Sequence, residues 1–299
     1  MNTQNKTFNN YILVISNSRH KIISQCIDSV LRLENTHAWN KIHVHQTGHA
    51  LTTKQFYKYQ KHFDANVMTE PKFLTNLANI NYNRMLGYKI AFDLLGADNV
   101  LGIEEDTVMA RDALVFSEFI LSKYSKNSRF RGINFGSSEI DTSIEKNTYS
   151  LLRFGIQGQA SLITRKTWKK LPKSKLNNYE HGEGWDSPIE FVLKTGFMIT
   201  PNSSRMLDYG WNSGTHTPVN KNDPYYLKMH KSFFETQFPI NKFYSHNQIE
   251  HNWRKDSITY SVRDNWIFDL RKRLNVRYFT RILKIFMTDN LKSRLGVGN

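Results

Sequence analysis

The chain of 299 residues holds a single cysteine, Cys26. No internal disulfide can form, and the composition fits a reducing compartment. Nor is there a long hydrophobic run. The longest clean stretch is YILVI at 11–15, far short of the roughly 18 apolar residues of a spanning helix. A charged start followed by an apolar core and a small-residue cleavage site is missing too, so a cytoplasmic protein is expected. Carboxylates are scarce: 26 Asp and Glu stand against 41 Lys and Arg, a net charge of +15. Such a surplus points to an anionic partner, whether nucleic acid, lipid surface, phosphorylated metabolite or acidic glycan. What is abundant is core material, at 39% hydrophobic and 13% aromatic, which excludes wholesale disorder. Neither internal repeats nor low-complexity tracts interrupt the chain.

Residues 1–9 are polar and aperiodic, a loose lead-in. YILVIS (11–16) is a short β-rich run of the kind that makes a buried parallel strand. After NSRH, the residues Ile22, Ile23, Cys26, Ile27, Val30 and Leu31 recur at helical spacing, and KIHVHQ (41–46) alternates as a second strand. This is a βαβ opening. The stretch 51–99 reads as interrupted helix, with Met85, Leu86, Ile90, Phe92, Leu94 and Leu95 as its apolar face and Gly96 as its end. Val100, Leu101 and Ile103 form a third strand, followed by a helix from near Arg111 carrying Leu114, Val115, Phe119 and Leu121. RGINFGSS (131–138), SLITRKTW (161–168) and TGFMITPNSS (195–204) read as further strands, with 139–150 a polar and mobile loop. The pattern predicts an α/β fold, a mainly parallel central sheet with helices on both faces, over residues 1–220. Residues 221–299 form a C-terminal extension in which Tyr, Phe, Lys, His and Asn dominate.

The third strand runs into three consecutive carboxylates, Glu104, Glu105 and Asp106. Ligands of open α/β sheets bind outside the carboxyl ends of the strands. Three adjacent carboxylates repel one another, so a cation is expected beside them. Mg²⁺ or Mn²⁺, hard ions that take oxygen ligands and leave positions for phosphate oxygens, suit such a place. The other reading of the triplet is an acidic turn that caps the next helix.

NYNRMLGYKIAFDLLGADNVLGIEEDTVMARDAL, YILVISNSRH, HVHQTG, FGIQGQASLITRKTWKKL and GWDSPIEFVLKTGFMITPNSSRMLDYGWNSGTHT stand in an order that resembles GT-A nucleotide-sugar glycosyltransferases. Within that class the blocks are most similar to the N-acetylglucosaminyltransferase I family, which writes the triplet Glu-Asp-Asp where this chain has Glu-Glu-Asp. The resemblance implies a GT-A (Rossmann-like) fold and transfer of a sugar, UDP-linked by preference, to a glycan or lipid-linked glycan hydroxyl. It places Asp106 as the direct metal ligand and Glu105 near the nucleotide ribose, with Glu104 beside it. Arg19 and Arg84 would lie by the nucleotide, where their charge adds electrostatic stabilisation. Asp186, at the tryptophan-aspartate motif, matches the general base of an inverting transfer; Glu183, in the Gly-Glu-Gly-Trp loop, is the alternative. Ser187 stands where the family often carries a second acid, and Asp-Ser-Pro before IEFVL also makes Asp186 a good N-cap. His216, after the glycine-rich turn, is a candidate metal ligand. Arg205 matches a Ser-Arg pair and is expected to meet a core carboxylate, and Trp185 and Trp211 offer flat faces to a sugar or to the core.

From Asn265 onward eight basic residues face two acidic ones, and Ile267, Leu270, Leu274, Tyr278, Ile282 and Ile285 recur at steps of three or four. That is a cationic amphipathic helix, expected to lie on an anionic membrane surface or to dock on protein. A cytoplasmic enzyme, peripheral on the inner face of the cell membrane and working in bacterial-type surface polysaccharide synthesis, is the expectation. The alternatives are a metal-dependent nucleotidyl- or phosphotransferase, or a nucleic-acid-binding protein. Zinc spacing, RNP-like strands and helix-turn-helix patterns are missing from the sequence, so no nucleic-acid partner is expected.

Overall fold

The computed structural model describes residues 8–17, 20–48, 50–73, 75–136, 149–152, 159–172, 195–201 and 204–208. All lie in the first of two units into which the chain divides, Met1–Phe243. The boundary expected near 220 and the basic C-terminal helix fall outside the described residues.

An eight-stranded sheet forms the centre. Strand β1 (Asn10–Ser16) is buried along its whole length, as an apolar run must be when both faces are covered. It leads through helix α1 (His20–Leu31) to β2 (Asn40–Gln46), which pairs with β1 in parallel. Ile23, Cys26, Ile27 and Val30 turn their stripe into the core, so the βαβ opening is as read. Helix α2 (Ala50–Tyr59) then leads to β3 (Ala65–Thr69), parallel to β2. The sequence reading took this strand for helix. ANVMT is an edge strand with one covered face, and its five residues carry too little apolar signal to stand out.

Helix α3 (Asn76–Lys89) starts on Thr75, whose Oγ1 accepts the Ala78 N–H at 3.3 Å. A single π turn over Ile90–Leu94 ends it. That turn corrects the expected apolar face. Met85, Tyr88, Ala91 and Phe92 are buried, but the wider turn swings Leu94 out to 78% exposure. Strand β4 (Asn99–Glu104) lies parallel to β1 on the side away from β2. Next come β5 (Thr107–Met109) and α4 (Ala113–Tyr124). The buried stripe of α4 runs through Leu114, Ser117, Ile120, Leu121 and Tyr124; Val115 and Phe119 lie at its margin.

Strands β6 (Phe130–Asn134), β7 (Tyr149–Leu152), β8 (Ala160–Thr164) and β9 (Phe197–Pro201) complete the sheet, in the order β3-β2-β1-β4-β8-β6-β9-β7. Four of its seven pairings are parallel; β8 runs antiparallel to both β4 and β6, and β7 antiparallel to β9. Tyr149 and Ser150 thus belong to a strand rather than to the expected loop, whose residues 139–148 fall outside the described ones. SLITRKTW is half strand and half helix, with α5 (Arg165–Trp168) starting where Thr164 Oγ1 accepts the Thr167 N–H. A separate two-stranded ribbon pairs β10 (Met206–Asp208) antiparallel with β5. The fold is α/β with a mainly parallel sheet, and β4 sits near its middle.

Candidate functional site

The parallel strands β3, β2, β1 and β4 end on the same edge of the sheet. At β4 that edge carries Glu104 as the last strand residue and Glu105 and Asp106 in the turn before β5. Both turn carboxylates are buried, at 5% and 7% exposure.

Two of the carboxylates are fixed from other elements. Arg84 reaches across from α3, itself 2% exposed, and its Nη2 pairs with Glu104 Oε1. The residue expected at the nucleotide is thereby committed to the first member of the triplet. Glu105 Oε2 accepts the backbone N–H of Asn17 at 2.7 Å, which ties the end of β1 to the turn. Asp106 leads directly into the β5–β10 ribbon. Beneath the turn, Cys26 donates its thiol to the Glu104 carbonyl at 3.4 Å. Burial pushes the Cys26 thiol well above its ordinary range, and the charges of Asp106 and Glu105 push it further in the same direction. Cys26 therefore stays protonated and reports a negative field at the strand end.

Both amide atoms of the Asn17 side chain and the Thr107 hydroxyl are buried without a hydrogen-bond partner among the described residues. Unpaired buried polar atoms are rare and costly, and both of these residues adjoin the carboxylates.

Sequence reasoning missed a fourth carboxylate. Asp208, 6% exposed, pairs in register with Thr107, the residue after Asp106. Its Oδ2 accepts the Gln159 Nε2–H at 3.2 Å, and the Gln159 carbonyl accepts the Glu104 N–H at 2.9 Å. Nothing local in MLD marks this residue; only the ribbon pairing brings it to the triplet. Further along the edge Thr69 donates to Asn83 Oδ1 at 2.9 Å, and Asn83 donates to Gln46 Oε1 at 3.3 Å. This makes a buried polar shelf over β2 and β3.

Arg205 sits where the Ser-Arg resemblance puts a structural arginine. It is 1% exposed, its Nη2 lies 3.2 Å from Asp112 Oδ2, and its guanidinium stacks 5.2 Å from the Phe116 ring centre. Arg84, Glu104, Glu105 and Asp106 are therefore brought together. Arg19, Glu183, Asp186, His216, Trp185 and Trp211 lie outside the described residues.

The donor set decides what cation the turn can hold. Among the described residues no group of three or more His, Cys, Asp or Glu side chains converges on a metal position. A closed, all-protein cage is not what these residues build. A hard divalent ion held by one carboxylate and completed by phosphate oxygens and water fits the residues present, because such ions keep several non-protein ligands.

No known protein family matches the chain, and no curated protein is similar to it in sequence. Solved structures are similar only in outline. S. aureus TarS 1-349 in complex with UDP shares 9% identity with a TM-score of 0.45, over 66% of this chain and 59% of that one. A mannosyltransferase from Pyrobaculum calidifontis, PcManGT, in complex with GDP-Man and Mn²⁺, shares 11% at a TM-score of 0.46, over 65% and 55%. The TarS 1-349 structure also matches over 80% of this chain and 77% of its own, at 9% identity and a TM-score of 0.45. The first two matches thus span under two thirds of their own chains. At scores below 0.5 these likenesses assign neither a residue role nor a reaction to this protein.

Proposed function

We propose that the protein is a metal-dependent glycosyltransferase that moves a sugar from a nucleotide-diphosphate donor to a glycan or lipid-linked glycan hydroxyl. The observation that carries this reading is the buried acidic turn, Glu104-Glu105-Asp106, at the end of a central parallel strand, tied to β1 through Asn17 and to α3 through Arg84. The resemblance of five sequence blocks to GT-A enzymes of the N-acetylglucosaminyltransferase I type supports it.

In this reading Asp106 holds Mn²⁺ or Mg²⁺, which supplies Lewis-acid neutralisation of the departing diphosphate. Glu105, oriented by the Asn17 N–H, faces the ribose side. Arg84 acts on the site by holding Glu104 rather than by touching phosphate. The unpaired Asn17 amide is placed to bind a polar group of the donor. Asp186, with Glu183 as the alternative, takes the acceptor proton, and the transfer inverts. UDP is the preferred carrier, His216 the candidate second ligand, and the inner membrane face the place of work.

Thermal-shift measurements against UDP, GDP, CMP and TMP, each with and without Mn²⁺, test the reading. One nucleotide should raise the melting temperature only when metal is present, and Asp106→Asn should abolish that rise while folding normally. The absence of a shift with every nucleotide would sink it.

A further inference from the structure

Helix α2 and the turn that follows it carry charge of one sign that the proposed reaction does not use. Lys54 and Lys58 lie one turn apart on α2, Lys61 follows in the 3₁₀ turn Gln60–His62, and all three are exposed. From Ala50 to Phe63 there is no carboxylate at all. None of the three lysines makes an ion pair among the described residues. The acids that border this stretch are Asp64, whose Oδ2 accepts the Lys41 N–H at 2.7 Å, Glu70 after β3, and Asp28 on α1, whose Oδ1 accepts the Tyr59 O–H at 3.0 Å. A solvated helix face ordinarily mixes signs; this one does not.

Beside these lysines, two large side chains are exposed. Tyr57 is 55% exposed and Met68, on the edge strand, 43%, with the Tyr57 hydroxyl 3.9 Å from the Met68 sulfur. These are two of only four large hydrophobic side chains exposed among the described residues, and they touch each other on the basic flank. Lysines with long apolar stems next to an amphipathic phenol and a thioether match the headgroup layer of a bilayer. There, ammonium groups meet phosphates and the soft groups dip below them.

We propose that the α2–β3 flank is a docking surface for an anionic phospholipid membrane, held by Lys54, Lys58 and Lys61 with Tyr57 and Met68 as shallow anchors. The occupant follows from charge complementarity plus the apolar pair, since a nucleic acid would use the lysines but find no role for Met68. The surface stands whatever reaction the turn performs.

The test is co-sedimentation of the full chain with phosphatidylcholine vesicles, with and without phosphatidylglycerol. The comparison is with the K54Q/K58Q/K61Q variant, in which residues 271–294 are untouched. Three cations near an anionic surface predict a loss of about tenfold to a hundredfold in partitioning to the phosphatidylglycerol vesicles. Circular dichroism and melting temperature should not change, since all three side chains are on the surface. A second variant, Y57S/M68S, should weaken vesicle binding but leave retention on single-stranded RNA unaltered. Equal vesicle binding by wild type and the lysine variant overturns the proposal, as does no binding by the wild type. RNA retention that depends on the lysines, with vesicle binding that ignores Tyr57 and Met68, would make the flank a polynucleotide site and overturn it as well.

Discussion

Acidification should destabilise this protein through two buried imidazoles. His43 and His45 lie side by side on β2, both fully buried, and Ser16 Oγ bridges them, 2.8 Å from His43 Nε2 and 3.0 Å from His45 Nδ1. Phe56 and Phe63 pack on the His43 ring at 5.2 and 4.9 Å. Burial holds His43 at a pKa of about 3, helped by repulsion from His45, and His45 at about 4, against the ordinary 6.5. The sign follows. Both groups are neutral in the fold and take up protons when it opens, so their contribution is intact above pH 6.5 and is lost as pH falls toward 4. At pH 5 an unfolded imidazole is almost fully protonated while the folded one is not, a difference of about 2 kcal/mol per group. Discounting His45 for its lesser desolvation, the pair should cost about 2–4 kcal/mol between pH 7 and 5. That is a large part of a typical folding free energy of about 5–15 kcal/mol. Urea denaturation at pH 7, 6 and 5 measures it. His43→Phe, which suits the surrounding aromatic rings, should flatten the pH slope by about 2 kcal/mol over that interval, whatever it does to stability at pH 7. Identical slopes for wild type and variant would refute the reasoning.

Gly102 faces the phenol of Tyr88 so closely that a Cβ cannot be added without moving it, and Tyr88 is fully enclosed. Gly102→Ala should therefore cost about 1–3 kcal/mol by calorimetry, and Tyr88→Phe in the same chain should recover part of that loss. Arg84→Met should destabilise by about 2–4 kcal/mol in urea titrations because it strands the partly buried Glu104. Combining it with Glu104→Gln should cost at least about 1 kcal/mol less than the two separate losses, and simple additivity would argue against the pair.

Strands β1, β2 and β4 were legible because each carries an apolar or alternating run, and α1 because its apolar residues keep a clean period. β3 was hidden because an edge strand needs only one covered face and spends few apolar residues on it. The reversal at β8 was hidden because pairing direction leaves no mark in a buried strand: ASLIT suits either direction equally. The acidic turn could be read because charge at the end of an apolar run is a local signal. Arg84's commitment to Glu104 and the arrival of Asp208 and Gln159 could not, since both depend on residues far apart in sequence meeting in space. Leu94 was misassigned because one extra residue in the helix turn shifts everything after it by about 100°.

The ribbon of β5 and β10 sets an order on how the site comes into being. Its two strands are separated by almost a hundred residues, and the Asp112–Arg205 pair beside them spans 93. A chain emerging from the ribosome will have its acidic triplet, its β1 tether and Arg84 in hand long before Asp208 is made. Until then Thr107–Met109 waits with an open edge and an incomplete neighbour to Asp106. The setting of the acidic turn is thus completed late in synthesis, and nascent chains halted before residue 206 should lack the β5–β10 ribbon.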